Sequence, residues 1–348
     1  MSTMNLQAYT TRVQSGEHLF FDEMVAAAQL VFNENTPKEH IADFLLALSA
    51  KGETAHEVAG LASVMRSHAV QVDVPEGIYI DNCGTGGDGL QSFNISTTSA
   101  FVLAGGGLLV AKHGNRKISS LSGSSDVLEA LGIGLLSNLE QTTELLAQEG
   151  IAFLHAPNMH PKLGRIGEVR RAIGKPTIFN MVGPLTNPVP LKTQFVGINR
   201  PEFTTDYAQV LDMLGRKRAM VVSGARGMDE ASLEGENTFV LLDHGDILPF
   251  KLRAEDVGLT PQPLEAIRGG NAEENAVILR ELLGGKQSAY FDTVVLNAGI
   301  GFFAYGLAET MKEGIEMAKD SIFSGRAMDK LNAVIAYSQK IKEAGTNA

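Results

Sequence analysis

The chain has 348 residues, 44% apolar and 20% charged, which allows a large packed core and excludes a disordered polymer. Its 29 Lys+Arg against 40 Asp+Glu leave a formal charge of −11, so nucleic acid and anionic membranes are excluded as expected partners, and any anionic ligand needs a local site that overrides the global field. One cysteine, Cys83, excludes an internal disulfide and a multi-cysteine metal site, and fits a reducing compartment.

The first 70 residues read as helices. Phe21, Met24, Val25, Ala28, Leu30 and Val31 recur near the 3.6-residue period, as do Ile41, Phe44, Leu45 and Leu48. Thr36-Pro37 predicts an N-cap followed by proline at the first helical position, and Gly52 follows that helix. Thr54 and Glu57 form a capping-box pattern that opens a further helix through Met65. This bundle carries no evident chemistry. The texture changes at Pro75. Residues 77–81 are a short β-type run entering a glycine-rich turn, residues 94–103 read as helix, and residues 107–111 as a second buried strand. Further strands are predicted at 219–222, 238–242 and 293–296, with the clearest helices at 273–283 and 311–323. The longest apolar stretch, residues 100–111, is too short to span a bilayer, and a cytoplasmic protein is expected. The expected fold class is α/β: a small N-terminal helical domain, then a large domain whose central, mostly parallel sheet is flanked by helices.

The glycine turn after the first strand, Gly84-Thr-Gly86-Gly87-Asp88-Gly89, contains a literal G-x-G-x-x-G. A dinucleotide reading is weakened by Asp88, which stands where a pyrophosphate would approach, and by the next strand, which ends in Lys112 and not in an acid for ribose hydroxyls. A P-loop fails because no Gly-Lys-Ser/Thr closes the turn. Ser92, Asn94, Ser96, Thr97 and Thr98 then cluster at the start of a helix, where backbone N–H groups and the dipole favour anions; one such residue would be an ordinary cap. After the second strand, residues 112–124 hold three cations (Lys112, Arg116, Lys117) and four serines (Ser119, Ser120, Ser122, Ser124). A charge run is usually a solvated face, but this one follows a strand, where open α/β sheets bind ligands. Asp229 and Glu230 follow another strand, and hard oxygens beside a phosphate site point to Mg²⁺. An exposed acidic pair and a general acid/base pair are the alternatives. Cys83 reads as a small buried residue, and His113 and His160 as site-lining residues.

Taken together, these stretches resemble the anthranilate phosphoribosyltransferases, enzymes of tryptophan synthesis. The resemblance adds Lys51-Gly-Glu-Thr54, Thr177-Ile-Phe-Asn180, Gly183-Pro-Leu-Thr-Asn-Pro188, Met228-Asp-Glu230 and Asn271-Ala-Glu-Glu-Asn275, and so covers nearly the whole chain. The Lys112-to-Ser124 region also resembles pyrimidine nucleoside phosphorylases, which remain the runner-up. The family implies a small domain of residues 1–73 completed by about 169–190, a large domain of residues 74–168 and 191–348, and a homodimer formed through the small domains. It implies transfer of the phosphoribosyl group of 5-phosphoribosyl 1-pyrophosphate (PRPP) to anthranilate, with Mg²⁺. The residues implied at the PRPP site are Gly84, Gly87, Asp88, Ser92, Asn94, Ile95, Ser96, Thr97, Lys112, His113, Gly114, Asn115, Arg116, Lys117, Ile118, Ser119, Ser120 and Ser124. Ser96, Asp229 and Glu230 would hold magnesium, and Asn115, Arg170 and the Gly84 backbone would face anthranilate. No dedicated catalytic acid or base is implied. Pro176 and Ser49 depart from the commonest family pattern.

Overall fold

A computed structural model of the chain describes residues 5–117, 121–135 and 138–346. Helices Leu6–Gln14, Phe21–Val31, Lys38–Lys51 and Ala55–Ser67 form the N-terminal bundle. Met24, Ala28, Ile41, Phe44, Leu45 and Leu48 are buried, as the apolar period requires. Thr54 and Glu57 make the reciprocal cap: the Thr54 hydroxyl accepts from the Glu57 N–H, and the Glu57 carboxylate accepts from the Thr54 N–H. Pro37 differs from expectation by one place. It occupies the N-cap position, and the Thr36 hydroxyl donates to the Leu30 carbonyl instead of capping the helix. Glu57 is fully buried and also accepts from Lys51 Nζ at 2.9 Å and from the Leu19 N–H at 3.0 Å. Ile166, Val169, Phe179, Met181 and Val182 add to the same apolar core from far along the chain.

Among the described residues, seven strands follow: β1 (Tyr79–Asp81), β2 (Leu109–Gly114), β3 (Ile151–His155), β4 (Thr193–Gly197), β5 (Arg218–Ser223), β6 (Glu236–Asp243) and β7 (Asp246–Arg253). They make one sheet in the order β3-β2-β1-β4-β5-β6-β7. Pairing is parallel from β3 across to β5 and antiparallel for β5–β6 and β6–β7. Alternation along the strands divides the apolar side chains between two faces. Phe195, Met220, Val222 and Phe239 pack with the helices Ile95–Gly105 and Ala289–Tyr305. Val196, Val221, Val240 and Leu242 point the other way, into a core shared with Tyr207 and the bundle. The bundle and one face of the sheet are therefore continuous.

The strand expected at residues 293–296 is a correction: those residues lie inside the helix Ala289–Tyr305. Thr293, Val294, Val295 and Leu296 are all buried, so the helix shows no polar face, and periodicity alone cannot tell such a run from a strand. The sheet order reverses beside β1, whose neighbours are β2 and β4. The crevice beyond the carboxyl ends of β1 and β4 is thus the topological switch point, where open α/β sheets place their ligands. No helix among the described residues is long and apolar enough to cross a membrane.

Candidate active site

The glycine turn lies over the ends of β4 and of the loop after β5. Gly86, Gly87 and Gly89 adopt φ of 71°, 83° and 71°, which side chains with a Cβ rarely allow. Gly84 is required for a different reason. A Cβ there would stand 2.3 Å from Asp229 Oδ2, so the turn can seat on Asp229 only without a side chain at this place. The Gly86 N–H donates to Asp229 Oδ2 at 2.6 Å, and the Thr85 N–H to the Gly197 carbonyl at 2.9 Å. The turn does not run straight into a helix: the next one starts at Ile95, which departs from the dinucleotide arrangement.

At that helix Asn94 holds the N-cap position without capping. Its side chain donates to the Ser122 carbonyl and accepts from Asn275 Nδ2 at 2.8 Å. The helix start thus keeps its backbone donors uncovered by a side-chain cap. The Thr97 hydroxyl, buried at 1% exposure, finds no partner among the described residues. Ser92 and Ile95 lie on the same approach, Ser92 bridging to Arg268 and Ile95 buried. Lys112 and His113 end β2 and are buried at 2% and 4% exposure. Lys112 lines a small recess with Gly114, Ser124 and Ser125. Ser124 Oγ donates to the Asn115 carbonyl and accepts from the Asn115 N–H, which fixes this loop on the serine turn. Arg116 is exposed on the same loop. Its guanidinium forks onto Glu129 at 2.6 and 2.7 Å and touches Asp126, which occupies it within the protein. Lys117 is exposed, and its N–H is held by Asp126. Ile118, Ser119 and Ser120 lie outside the described residues.

Asp229 and Glu230 sit half-buried under the glycine turn, with Asp88 close to Asp229. Burial, then repulsion from Asp88, raises the Asp229 pKa. Burial, then Asp229, pushes Glu230 up to about 8, although Lys112 and a hydrogen bond with Ser96 oppose the rise. Like charges held together in this way are relieved by a cation. Oxygen donors from Ser96, Asp229 and Glu230, a hydroxyl and two carboxylates, suit a hard divalent ion. That fits Mg²⁺, which takes one or two carboxylates and completes its shell with phosphate and water.

Arg170, in the helix Leu163–Ile173, donates to Asn180 Oδ1 and lies 5.5 Å from the centre of the Phe179 ring, whereas Arg171 is exposed. The rings of His113 and His160 meet edge to face at 5.3 Å, each with a buried Nε2 that has no partner among the described residues. Burial pushes His113 down to about 3 and His160 to about 4, so both are neutral at pH 7. Cys83 Sγ donates to Asp81, and burial with that neighbouring charge raises the thiol well above its usual range, which leaves it no nucleophilic role. Pro176 and Ser49 are exposed. Asp81, Asn187 and Asn275 join this network without having been singled out as site residues. An acid ending a buried strand just before a glycine turn was the one signal for Asp81.

Comparison with known proteins decides the family. The glycosyl transferase family, a/b domain, matches residues 76–328, and the glycosyl transferase family, helical bundle domain, matches residues 7–69. An anthranilate phosphoribosyltransferase of Exiguobacterium sibiricum is 56% identical over 333 residues, covering 96% of this chain and 97% of that protein. The chain belongs to the anthranilate phosphoribosyltransferase family. The crystal structure of the Thermus thermophilus enzyme superposes with a TM-score of 0.90 at 38% identity, covering 97% of this chain and 100% of that one. The Saccharomyces cerevisiae enzyme in complex with PRPP and Mg gives 0.88 at 28% identity, covering 96% and 98%. The phosphoribosyltransferase fold is thus shared across nearly the full length.

Proposed function

We propose that this enzyme of tryptophan biosynthesis transfers the phosphoribosyl group of PRPP to the amine of anthranilate, releasing pyrophosphate, and that it uses Mg²⁺. The observation that supports the reading is the seating of the glycine turn on Asp229, whose Oδ2 accepts from the Gly86 N–H at 2.6 Å beside the switch point. The ligands of the yeast relative support it.

The anthranilate amine is already neutral at pH 7, so the enzyme needs no strong base to make the nucleophile. The costly event is departure of a polyanion while positive charge develops on the ribosyl ring. Backbone N–H groups of the turn and of the helix start at Ile95 bind the phosphates, and Lys112 adds its ammonium from the end of the neighbouring strand β2. Ser96, Asp229 and Glu230 would hold the magnesium, which when bound would supply charge neutralisation for the leaving pyrophosphate. Arg170 pairs with the anthranilate carboxylate through its planar fork, and Asn115 and the Gly84 backbone complete that side. Positioning and electrostatics together supply on the order of 10 kcal/mol.

The same reading divides the chain into residues 1–73 with about 169–190 and residues 74–168 with 191–348. It pairs two copies through the small domains, where Phe20 and Leu46 are exposed. The direct test follows the fluorescence of anthranilate with PRPP, with and without magnesium. Consumption that depends on both PRPP and the metal is expected, and no consumption with all three present would refute the assignment.

A further inference from the structure

The mechanism above makes no use of Asp81, a fully buried carboxylate at the carboxyl end of β1. All four of its hydrogen-bond partners are donors. The Cys83 N–H lies 3.2 Å from Oδ1 and the His113 N–H 3.3 Å from the same oxygen. Asn187 Nδ2 lies 2.9 Å from Oδ2, and Cys83 Sγ 3.4 Å. Two buried cations act on it, Lys112 and, from the other side of the sheet region, Arg216.

These donors come from three segments of the site. Cys83 opens the glycine turn beside Gly84. His113 follows Lys112 on β2. Asn187 closes the segment whose Gly183 carbonyl faces the His113 ring, and its Nδ2 also donates to the Ala111 carbonyl at 2.7 Å. Filling space between strands would call for an apolar residue. Asparagine at this place would turn an NH₂ group toward at least one donor, so only a group that accepts at both oxygens satisfies the set.

We propose that Asp81 is a positioning residue for phosphoribosyl transfer, holding the start of the glycine turn, the Lys112–His113 strand end and Asn187 in one arrangement without touching substrate. The inference rests on the phosphoribosyltransferase reading given above. Its effect falls mainly on PRPP, because Lys112 and the turn beyond Gly84 face the phosphates, whereas anthranilate shares only the Gly84 backbone with this network and is held by Arg170 from a separate helix.

The test uses Asp81→Asn and Asn187→Ala, singly and together, in the full chain, with initial rates at varied PRPP and anthranilate and thermal melting by circular dichroism. Asp81→Asn is expected to raise KM for PRPP about tenfold and KM for anthranilate less than about twofold, with kcat reduced. Asn187→Ala is expected to move the same constant in the same direction, and the double variant to fall short of the product of the single effects, because both remove one contact. An Asp81→Asn enzyme that melts lower yet keeps wild-type KM for PRPP and wild-type kcat would overturn the proposal, as would equal losses for both substrates. Should Asp81→Asn fail to fold, Asn187→Ala decides alone, and a wild-type KM for PRPP there contradicts the proposal. A wild-type chain that consumes no anthranilate would instead remove the transferase reading, and this inference with it.

Discussion

The helical bundle and the crevice both bury carboxylates, and they settle them in opposite ways. In the bundle Glu57 receives Lys51 Nζ and the N–H groups of Leu19 and Thr54, so its charge is met inside the fold. In the crevice Asp229 stands beside Glu230 and Asp88, relieved mainly by the Gly86 N–H and, for Glu230, by Ser96 and the nearby Lys112. Burying like charges together costs stability that a purely structural element has no reason to spend. The bundle meets its buried charge internally, while the crevice leaves its carboxylates crowded, as the proposed cation and polyanion would require.

The comparison breaks most visibly at the metal carboxylates. Asp229→Ala with Glu230→Ala is expected to cut kcat/KM by about 10³-fold or more, about 4 kcal/mol, while the melting temperature holds or rises because repulsion is removed. Steady-state kinetics beside a thermal melt checks both halves, and near wild-type turnover would end the metal role. Glu57→Ala is the converse. It leaves the buried Lys51 with the Gly52 carbonyl and His18 but no counter-charge, and is expected to cost about 3 kcal/mol of stability in urea unfolding, with kcat of the folded protein unchanged. A smaller effect is expected for Arg170→Ala, which should raise KM for anthranilate roughly tenfold or more with little change for PRPP. Equal small changes in both constants would remove that assignment.

A separate expectation, for stability and not turnover, is a pH dependence set by the two buried histidines. Their folded pKa values, about 3 for His113 and about 4 for His160, lie below the unfolded value near 6.5. Between those limits the unfolded chain binds more protons, so stability is lost as pH falls from about 6.5 toward 4. Each histidine contributes on the order of 1–2 kcal/mol of that loss at pH 5. Urea melts at pH 7 and pH 5 measure it. His160→Gln should shrink the difference, and an unchanged difference would contradict the burial argument.

What the amino-acid order revealed was whatever lies close together along the chain. The capping box at Thr54 and Glu57, the glycine turn and the cations after β2 are all local, and each is found near its expected place. Contacts between distant segments were not legible. Asp81 meets His113 and Asn187 across 32 and 106 residues, and Asn275 meets Asn94 across 181. Arg116 pairs with Asp126 and Glu129 only 10 and 13 residues on, ion pairs that reading the loop as a ligand site left aside. The helix Ala289–Tyr305 was partly misread as strand because burial on all sides erases the period that would identify it. Strands β3, β4 and β7 were not anticipated, and β3 and β4 are buried at every position, with no alternation to mark them.

The central claim is that the crevice carboxylates are arranged for a divalent ion bound together with a pyrophosphorylated sugar. Calorimetric titration of PRPP into the folded chain, with and without Mg²⁺, tests it most directly. The account predicts saturable binding with the metal and at least about tenfold weaker binding without it. Equal affinity in both titrations, or no heat in either, would contradict it.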